Sequence, residues 1–294
     1  MTKYLFHVLD EVKDRIRGAN HTLLLLDYDG TVVPIARTPE MALLSSDARS
    51  TLEILRNHPK ISLGVISGRA LAEIQALIGL KGIYYAGNHG LEMGLKGVHF
   101  IHPEATQFIP LLSRLRHEIV SLLGCLIPVS FEERQTEDGG RNAKKYALDR
   151  YPGAFLEDKG LSLSLHWRNL SPSEVPRLKD GLELTLTPYA DKFILIAGKK
   201  VWDVRPRLEW DKGSAVLKIL EHFPKEGVLP IYFGDDQTDE DAFKAMYGIG
   251  LAIRVGNEKP DTQARYYVKE QEEVLRFLQL FFTVSLGADG VVYL

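Results

Sequence analysis

Short apolar runs that end abruptly in polar residues constrain the fold of this chain more than any other feature. The first, "TLLLLDYDG", places four leucines directly before Asp27 and Asp29. "ISLGVISGR" and "LPIYFGDD" repeat the pattern. Uninterrupted apolar runs of this length are typical of strands that are covered on both faces. Because helical patterns of about 10 to 15 residues alternate with such runs, the sequence predicts βαβ units and a parallel sheet.

The pattern changes between residues 107 and 203. "TQFIPLLSRLRHEIVSLLG" predicts a helix, whereas "LSLSLHW", "ELTLTPY" and "FILIAGKKVWDV" predict antiparallel strands. The first pattern then returns with the helix "WDKGSAVLKILEHF". We therefore predict an α/β fold in which a Rossmann-like parallel-sheet core, residues 1–106 and 204–294, carries an inserted α+β cap domain, residues 107–203.

Composition excludes several classes of partner. The net charge is −3, and acidic and basic residues are mixed along the chain, so neither nucleic acid nor a membrane surface is an expected partner. The segment "MTKYLFHVLDEVKDRI" predicts an amphipathic helix rather than a secretion signal. Cys125 is the single cysteine, which excludes an internal disulfide, and we expect it to be a small buried hydrophobic residue. The expected location is the cytoplasm.

Four of the predicted strands end in polar residues. In open α/β sheets, ligands bind beyond the carboxyl ends of the strands, so these residues are expected to converge on one edge. They are Asp27 and Asp29, Ser67 and Arg69, Asn88 and His89, and Asp235 and Asp236. Such convergence indicates a functional site more strongly than any single motif does.

The carboxylates at two of these strand ends indicate a cation site. Asp27 and Asp29 crowd each other, and neighbouring carboxylates raise each other's proton affinity unless a cation lies between them. Asp235, Asp236 and Asp239 repeat this arrangement in "FGDDQTD". Carboxylate oxygens without cysteine or clustered histidine suit Mg²⁺. Taken alone, each acidic motif is also compatible with a turn or a helix cap.

Four motifs in the chain resemble, in the same order, those of the haloacid-dehalogenase-type phosphatases. They are "DYDGT", "VISGR", "WDKG" and "GDDQTDED". The resemblance implies that Asp27 is a nucleophile that forms an aspartyl-phosphate and that Asp29 is the general acid and base. It also implies that Ser67 and Lys212 hold the phosphoryl group. Taken singly, Lys212 is also compatible with a solvated lysine and Ser67 with a helix N-cap.

The same resemblance implies a set of ligands for Mg²⁺. Asp27, the backbone carbonyl of Asp29, and Asp235 would bind the ion. Asp236 and Asp239 would hold these ligands in position without binding the ion themselves.

Other segments resemble the trehalose-6-phosphate phosphatases, and the similarity extends from about residue 20 to residue 285. The segments are "YYAGNHGLEM", "FLEDKGLSLSLHWR" and "GKKVWDVRPRLEWDKG". This resemblance implies that the substrate is bound by Arg69, Asn88, His89, Glu92, Glu157, Lys159, His166, Arg168 and Lys199. The chain departs from the family at Asp203, where the family usually has glutamate.

Strand alternation places part of this set on one face. In "LSLSLHWR", Ser162, Ser164, His166 and Arg168 alternate with Leu161, Leu163, Leu165 and Trp167. Glu157 and Lys159 have the opposite parity. We therefore expect a bulge or turn at Gly160 to bring them to the polar face.

These observations favour a Mg²⁺-dependent phosphatase that hydrolyses trehalose 6-phosphate, with the cap reading the sugar. Alternatives are a phosphatase for mannosyl-3-phosphoglycerate or sucrose phosphate, a phosphomutase, and a catalytically silent sugar-phosphate-binding regulator. The complete set of Asp27, Asp29, Lys212 and Asp235 argues against a silent protein. The sequence leaves open a functional link to a trehalose-phosphate synthase, and it assigns no role to the loop at residues 136–141.

Overall fold

The computed structural model describes residues 2–124, 128–129 and 143–285. Cys125 and the loop at residues 136–141 lie outside the described residues. The strands are β1 (Lys3–Tyr4), β2 (His21–Leu26), β3 (Ile61–Ile66), β4 (Tyr84–Gly87), β5 (Glu92–Leu95), β6 (Val98–Ile101), β7 (Pro128–Val129), β8 (Lys144–Ala147), β9 (Phe155–Asp158), β10 (Leu163–His166), β11 (Phe193–Gly198), β12 (Val201–Pro206), β13 (Val228–Gly234), β14 (Leu251–Val255) and β15 (Tyr266–Val268). The α-helices are α1 (Leu9–Gly18), α2 (Ser46–Asn57), α3 (Leu71–Ile78), α4 (Ile109–Leu123), α5 (Val175–Leu186), α6 (Lys212–Leu220), α7 (Asp239–Ala245) and α8 (Gln271–Ser285).

The larger sheet has nine strands in the described part of the chain, in the order β1-β15-β14-β13-β2-β3-β4-β5-β6. The strands from β1 to β4 in this order pair in parallel, and β5 and β6 add antiparallel pairs at one edge. This arrangement confirms the predicted α/β class. The four strands that end in polar residues, β13, β2, β3 and β4, are consecutive neighbours, so their carboxyl ends meet at one edge of the sheet.

Both faces of this sheet are covered, which explains the uninterrupted leucines of β2. Leu24 and Leu26 pack in a cluster that includes residues of α1, α2, α3 and α8. Leu23 and Leu25 pack in a second cluster with residues of α6 and α7. Because successive side chains of a strand point to opposite faces, the run must be apolar at every position. The polar residues after Leu26 therefore mark the point where the chain leaves the core.

The second sheet has six strands among the described residues, in the order β11-β12-β10-β9-β8-β7, and all of its pairs are antiparallel. One face packs on α4 and α5 through residues that include Leu156, Leu163 and Leu165. We call α4, α5 and this sheet, residues 109–206, the second unit. The predicted boundary between residues 203 and 204 falls inside β12, because the sheet continues to Pro206.

The expected turn at Gly160 is confirmed, because residues 159–162 connect β9 to β10 and Gly160 has a φ of +80°. In the antiparallel pairing of β9 with β10, Glu157 lies directly opposite Ser164. Residues opposite each other in such a pair share a face of the sheet, whatever their parity in the sequence. The turn therefore brings Glu157 to the polar face with Ser164, and the paired residues 155–158 and 163–166 contain no bulge.

Two predicted elements differ from the structure. "ELTLTPY" forms the end of α5 and a following 3₁₀ turn, not a strand, because Leu178, Leu182 and Leu186 continue a four-residue spacing that is buried against the second sheet. The N-terminal segment is helical in α1 only from Leu9, since β1 pairs with β15 and a 3₁₀ turn follows it. The described helices include none that is both long and apolar enough to cross a membrane.

Candidate active site

A cavity of about 170 Å³ lies between the strand ends of the larger sheet and the polar face of the second unit. Most of the residues predicted to form a site line it. They are Asp27, Asp29, Ser67, Arg69, His89, Glu157, Lys159, His166, Arg168, Lys199, Lys212, Asp235 and Asp236. The structure therefore brings together, from both units, side chains that are up to about 200 residues apart in the sequence.

Lys212 joins two carboxylates at the floor of the cavity. Its Nζ donates to Asp27 Oδ1 at 2.8 Å and to Asp239 Oδ1 at 2.7 Å. Lys212 is the first residue of α6, and its side chain is only 3% exposed, so it is not a solvated lysine. Burial alone would lower the pKa of Lys212, but Asp239 and Asp27 raise it above its usual range.

Asp239 is held by donors on both of its oxygens. Its Oδ1 accepts from Lys212 and from the Tyr232 hydroxyl, the latter at 2.6 Å. Its Oδ2 accepts from the backbone N–H groups of Asp235 and Asp236, each at 2.9 Å. Despite burial, these bonds lower the pKa of Asp239. Asp239 therefore fixes the loop that presents Asp235.

Asp27, Asp235 and Asp239 form a buried acidic cluster. One oxygen from each lies within 4.8 Å of the others, which is close enough for one metal ion. Burial raises the pKa of Asp27, and Asp239 and Asp235 add to this effect against Lys212. Burial also raises the pKa of Asp235 to about 6, although Lys199 lowers it. A divalent cation would relieve this crowding of negative charge, so the oxygen donors fit the metal that the motifs imply.

Gly30 lets two strand-end loops touch. Its φ is +87°, and a Cβ at this position would lie 1.9 Å from Asp235 Oδ2. Any larger residue would displace the carboxylate or the loop. This requirement explains the glycine that follows Asp29 in the first motif.

Arg69 holds Asp29 at the side of the cavity. Its Nε donates to Asp29 Oδ2 at 2.6 Å, and its Nη2 donates to Asp29 Oδ1 at 2.7 Å. The same guanidinium donates through Nη1 to Glu73 Oε1 at 2.5 Å and through Nη2 to the Pro39 carbonyl at 2.9 Å. The Arg69 side chain is thus occupied by protein acceptors, although the sequence predicted that it contacts the substrate.

Ser67 lies in the turn that follows β3. Its Oγ accepts from the backbone N–H of Arg69 at 3.2 Å, and the residue is buried at the cavity wall. The residue that precedes α3 is Ala70, which makes no side-chain cap, so Ser67 is not the N-cap of this helix. Ser67 therefore lines the cavity and does not cap the helix.

The second unit contributes a carboxylate with its own partners. His166 Nε2 donates to Glu157 Oε2 at 2.8 Å, and the His166 ring stacks on Phe155 with centroids 4.4 Å apart. Burial would raise the pKa of Glu157, but Lys159 and His166 lower it to about 2. Lys159 Nζ donates to the Gly68 carbonyl at 2.9 Å and so connects the second unit to the turn that holds Ser67.

Asp203 of β12 and His89, which follows β4, meet at the lining of the cavity. Asp203 accepts from the Ser164 hydroxyl, and its Oδ2 lies 3.4 Å from His89 Nε2. Burial lowers the pKa of His89 to about 4. His89 has a φ of +57°, so its backbone turns sharply at the strand end and points the ring across to the second unit.

Two residues predicted to bind substrate lie away from the cavity lining. Asn88 accepts from the Ser162 hydroxyl at 2.7 Å and donates to the Lys159 carbonyl at 3.2 Å, so it ties the two units together. Glu92 Oε1 lies 3.0 Å from His99 Nε2 on the neighbouring strand β6. Neither is among the residues that line the cavity.

Sequence analysis did not identify Glu73 and Asp203 as site residues, although both line the cavity. The four-residue separation of Arg69 and Glu73 at the start of α3 is a signal for their ion pair, because such residues are neighbours on a helix. For Asp203, the signal is its position between buried Trp202 and Val204, which places it on the opposite face of β12.

Comparisons with known proteins show which family the chain is similar to. Residues 25–272 match the family model described as trehalose-phosphatase. Trehalose-phosphate phosphatase B of Arabidopsis thaliana is 29% identical over 288 residues, which cover 93% of this chain and 69% of that protein. Probable trehalose-phosphate phosphatase 4 of Oryza sativa subsp. japonica is 32% identical over 281 residues, with coverages of 92% and 68%.

A solved structure shares the fold. The C-terminal domain of C. albicans trehalose-6-phosphate phosphatase matches with a TM-score of 0.77 at 23% identity, and the match covers 96% of this chain and 98% of that chain.

Proposed function

The chain belongs to the trehalose-phosphatase family, whose members are phosphoric monoester hydrolases, and from this premise we propose that it hydrolyses trehalose 6-phosphate to trehalose and inorganic phosphate. One observation carries the proposal. Asp27, Asp29, Lys212 and Asp235 line a single cavity, and its opposite wall is the polar face of the second unit. The cavity therefore offers one wall that suits a phosphoryl group and an opposite wall that suits a sugar.

In the first step, a carboxylate oxygen of Asp27 attacks phosphorus. The bond between phosphorus and the sugar oxygen breaks, and that oxygen takes a proton from the Asp29 carboxyl group and leaves as a hydroxyl. Lys212 lies 2.8 Å from Asp27 Oδ1, so it offsets negative charge close to the reacting oxygen. The products of this step are trehalose and an aspartyl-phosphate on Asp27.

In the second step, Asp29 takes a proton from a water molecule whose oxygen attacks phosphorus. The bond between phosphorus and the Asp27 oxygen breaks, which releases inorganic phosphate and restores the carboxylate. Asp29 ends the cycle protonated, as it began. Ser67 would donate a hydrogen bond from its hydroxyl group to a phosphoryl oxygen in both steps, since it lies at the cavity wall.

We propose Mg²⁺ as the cation of the acidic cluster. Asp27 and Asp235 would hold it together with the backbone carbonyl of Asp29, while Asp239 keeps its oxygens for Lys212, Tyr232 and the loop. When bound, the ion would neutralise charge on the phosphoryl oxygens.

The second unit would act as a cap that reads the sugar. Glu157, Lys159 and His166 offer acceptors and donors to hydroxyl groups, and the polar face of β9 and β10 orients them toward the cavity. Arg168 and Lys199 lie at the same wall. Arg168 would face the outer part of the substrate, and Lys199, which donates to Asp235, would reach the substrate only when it leaves that carboxylate. A trehalose-phosphate synthase would be the enzyme that supplies this substrate.

The experiment that tests the function is phosphate release from a panel of sugar phosphates. Trehalose 6-phosphate, sucrose phosphate, mannosyl-3-phosphoglycerate and glucose 6-phosphate are compared at equal concentration, with and without Mg²⁺. We expect the highest kcat/KM for trehalose 6-phosphate and no turnover without the metal. A preference for another member of the panel would replace trehalose 6-phosphate as the substrate.

A further inference from the structure

Glu73 occupies a wall of the cavity that the proposed mechanism does not use. It projects from α3, on the side of the larger sheet, and lines the cavity with the residues of the second unit. Its Oε1 accepts from Arg69 Nη1 at 2.5 Å. Its Oε2 is buried and has no hydrogen-bond partner among the described residues. A buried carboxylate oxygen without a donor is costly, so this atom needs a partner that the chain does not provide.

Glu157 presents the same arrangement from the opposite wall. Its Oε2 accepts from His166 at 2.8 Å, whereas its Oε1 is buried and likewise lacks a partner within the described ranges. Each carboxylate therefore has one oxygen held by a cationic or imidazole group and one oxygen left over. The two lie in one cavity, one from each unit.

The electrostatics agree that these groups are close. Burial and the negative charge of Glu157 raise the pKa of Glu73 to about 7, against the opposing effect of Arg69 and Lys159. Within the described part of the chain, no cationic side chain donates a hydrogen bond to the free oxygen of either carboxylate. The ionised form of each carboxylate needs a hydrogen-bond donor at its free oxygen, and neutral donors that also fill a polar cavity are the hydroxyl groups of a sugar.

We propose that Glu73 is a specificity-determining residue whose Oε2 accepts a hydrogen bond from a sugar hydroxyl, so that the substrate is held between Glu73 of the larger sheet's α3 and Glu157 of the second unit. This inference rests on the proposed function and deepens it, because it places part of sugar recognition on the catalytic unit. The ligand class is a phosphorylated sugar with hydroxyl groups on both sides of its ring.

A purely supporting role for Glu73 predicts a different result. If Glu73 only anchored Arg69, its loss would disturb Asp29 and would slow every substrate. If it contacts the sugar, its loss weakens binding of sugar phosphates and leaves an aryl phosphate unaffected. Glu73→Gln separates these roles, because the amide keeps an oxygen for Arg69 but replaces the other oxygen with an NH₂ group that cannot accept a hydrogen bond.

The test measures kcat and KM of the full chain for trehalose 6-phosphate and for para-nitrophenyl phosphate. The variants are Glu73→Gln, Glu73→Asp, and Glu53→Gln as a matched control, since Glu53 is exposed on α2. We expect Glu73→Gln to raise KM for trehalose 6-phosphate by about 10-fold or more with little change in kcat. The aryl phosphate and the control should stay near wild type, and Glu73→Asp should lie between.

Three outcomes overturn the inference. The first is an unchanged KM for trehalose 6-phosphate in Glu73→Gln, and the second is an equal loss on both substrates. The third is failure of both Glu73 variants to fold, measured by thermal unfolding, which would assign Glu73 to the fold. A wild-type chain that hydrolyses the aryl phosphate but no sugar phosphate would overturn the proposed function as well, so the two failures are distinguishable.

Discussion

Arg69 donates a hydrogen bond to each carboxylate oxygen of Asp29, from Nε at 2.6 Å and from Nη2 at 2.7 Å. A guanidinium that binds a carboxylate in this forked way fixes its direction as well as its distance. Asp29 is the proposed acid and base, and its side chain is 37% exposed, so packing alone does not orient it. The pair therefore determines where the proton-transferring group lies.

Arg69→Lys should lower kcat because lysine keeps the charge but loses the fork. We expect a loss of about 10-fold, the value of one charge-assisted hydrogen bond. The measurement is steady-state kcat on trehalose 6-phosphate, with Arg17→Lys as a control, since Arg17 is exposed on α1. A wild-type kcat in Arg69→Lys would show that the two hydrogen bonds from the guanidinium to Asp29 do not contribute to catalysis.

The two carboxylates of the first motif should separate in a trapping experiment. Asp27→Asn should form no covalent adduct, because an amide is a poor nucleophile. Asp29→Asn should slow turnover by about 10²- to 10⁴-fold, and with an aryl phosphate it should accumulate phosphate on Asp27. Intact mass after acid quench is the measurement. An adduct on Asp27→Asn mapped to another side chain would contradict the assignment of the nucleophile.

Metal binding should be visible without turnover. Chelation with EDTA should abolish activity, and Mg²⁺ should raise the thermal unfolding temperature of the wild type, because a ligand that binds only the folded state stabilises it. Asp235→Asn should lose this Mg²⁺-dependent rise. Lys199→Met should enlarge it at low Mg²⁺, since Lys199 donates to Asp235 and competes for the same oxygens. Equal shifts in all three proteins would place the ion elsewhere.

Glu157→Ala should lower kcat/KM for trehalose 6-phosphate by a factor that corresponds to about 1–3 kcal/mol. The reason is that the sugar hydroxyl groups and His166 lose an acceptor. An aryl phosphate, which has no sugar hydroxyls, should lose much less. The exposed Glu183 of α5 provides the control Glu183→Ala. Equal losses on both substrates would mean that Glu157 supports the structure of the site rather than the sugar.

Asn88→Ala should lower the stability of the protein rather than its catalytic activity. The side chain joins Ser162 and Lys159 of the second unit to the end of β4, and its removal leaves buried polar groups unpaired. We expect the free energy of unfolding to fall by about 1–3 kcal/mol in denaturant titrations. If stability stayed unchanged while KM rose, Asn88 would instead be a substrate contact, as the sequence predicted.

Sequence alone determined the α/β class and the polar residues that end the strands around the site. These features are local, because an apolar run covered on both faces and a polar break can be read from neighbouring residues. Asp27 and Asp235 were identified in this way, and Lys212 was identified through the resemblance of its motif. The parallel pairing of β13, β2 and β3 then had to bring the strand-end loops together.

Only the tertiary structure decided the remaining contacts. Glu157 lies opposite Ser164 because β9 and β10 pair antiparallel, and the parity of residues along one strand does not determine the register between two strands. The segment "ELTLTPY" became helical because its leucines continue a buried helical face that begins before it. Glu73 reached the cavity because the first turn of α3 lies at the edge of the larger sheet where the cavity forms. These contacts join residues that are distant in the sequence. The periodicity of a segment does not show which other segment it will pack against.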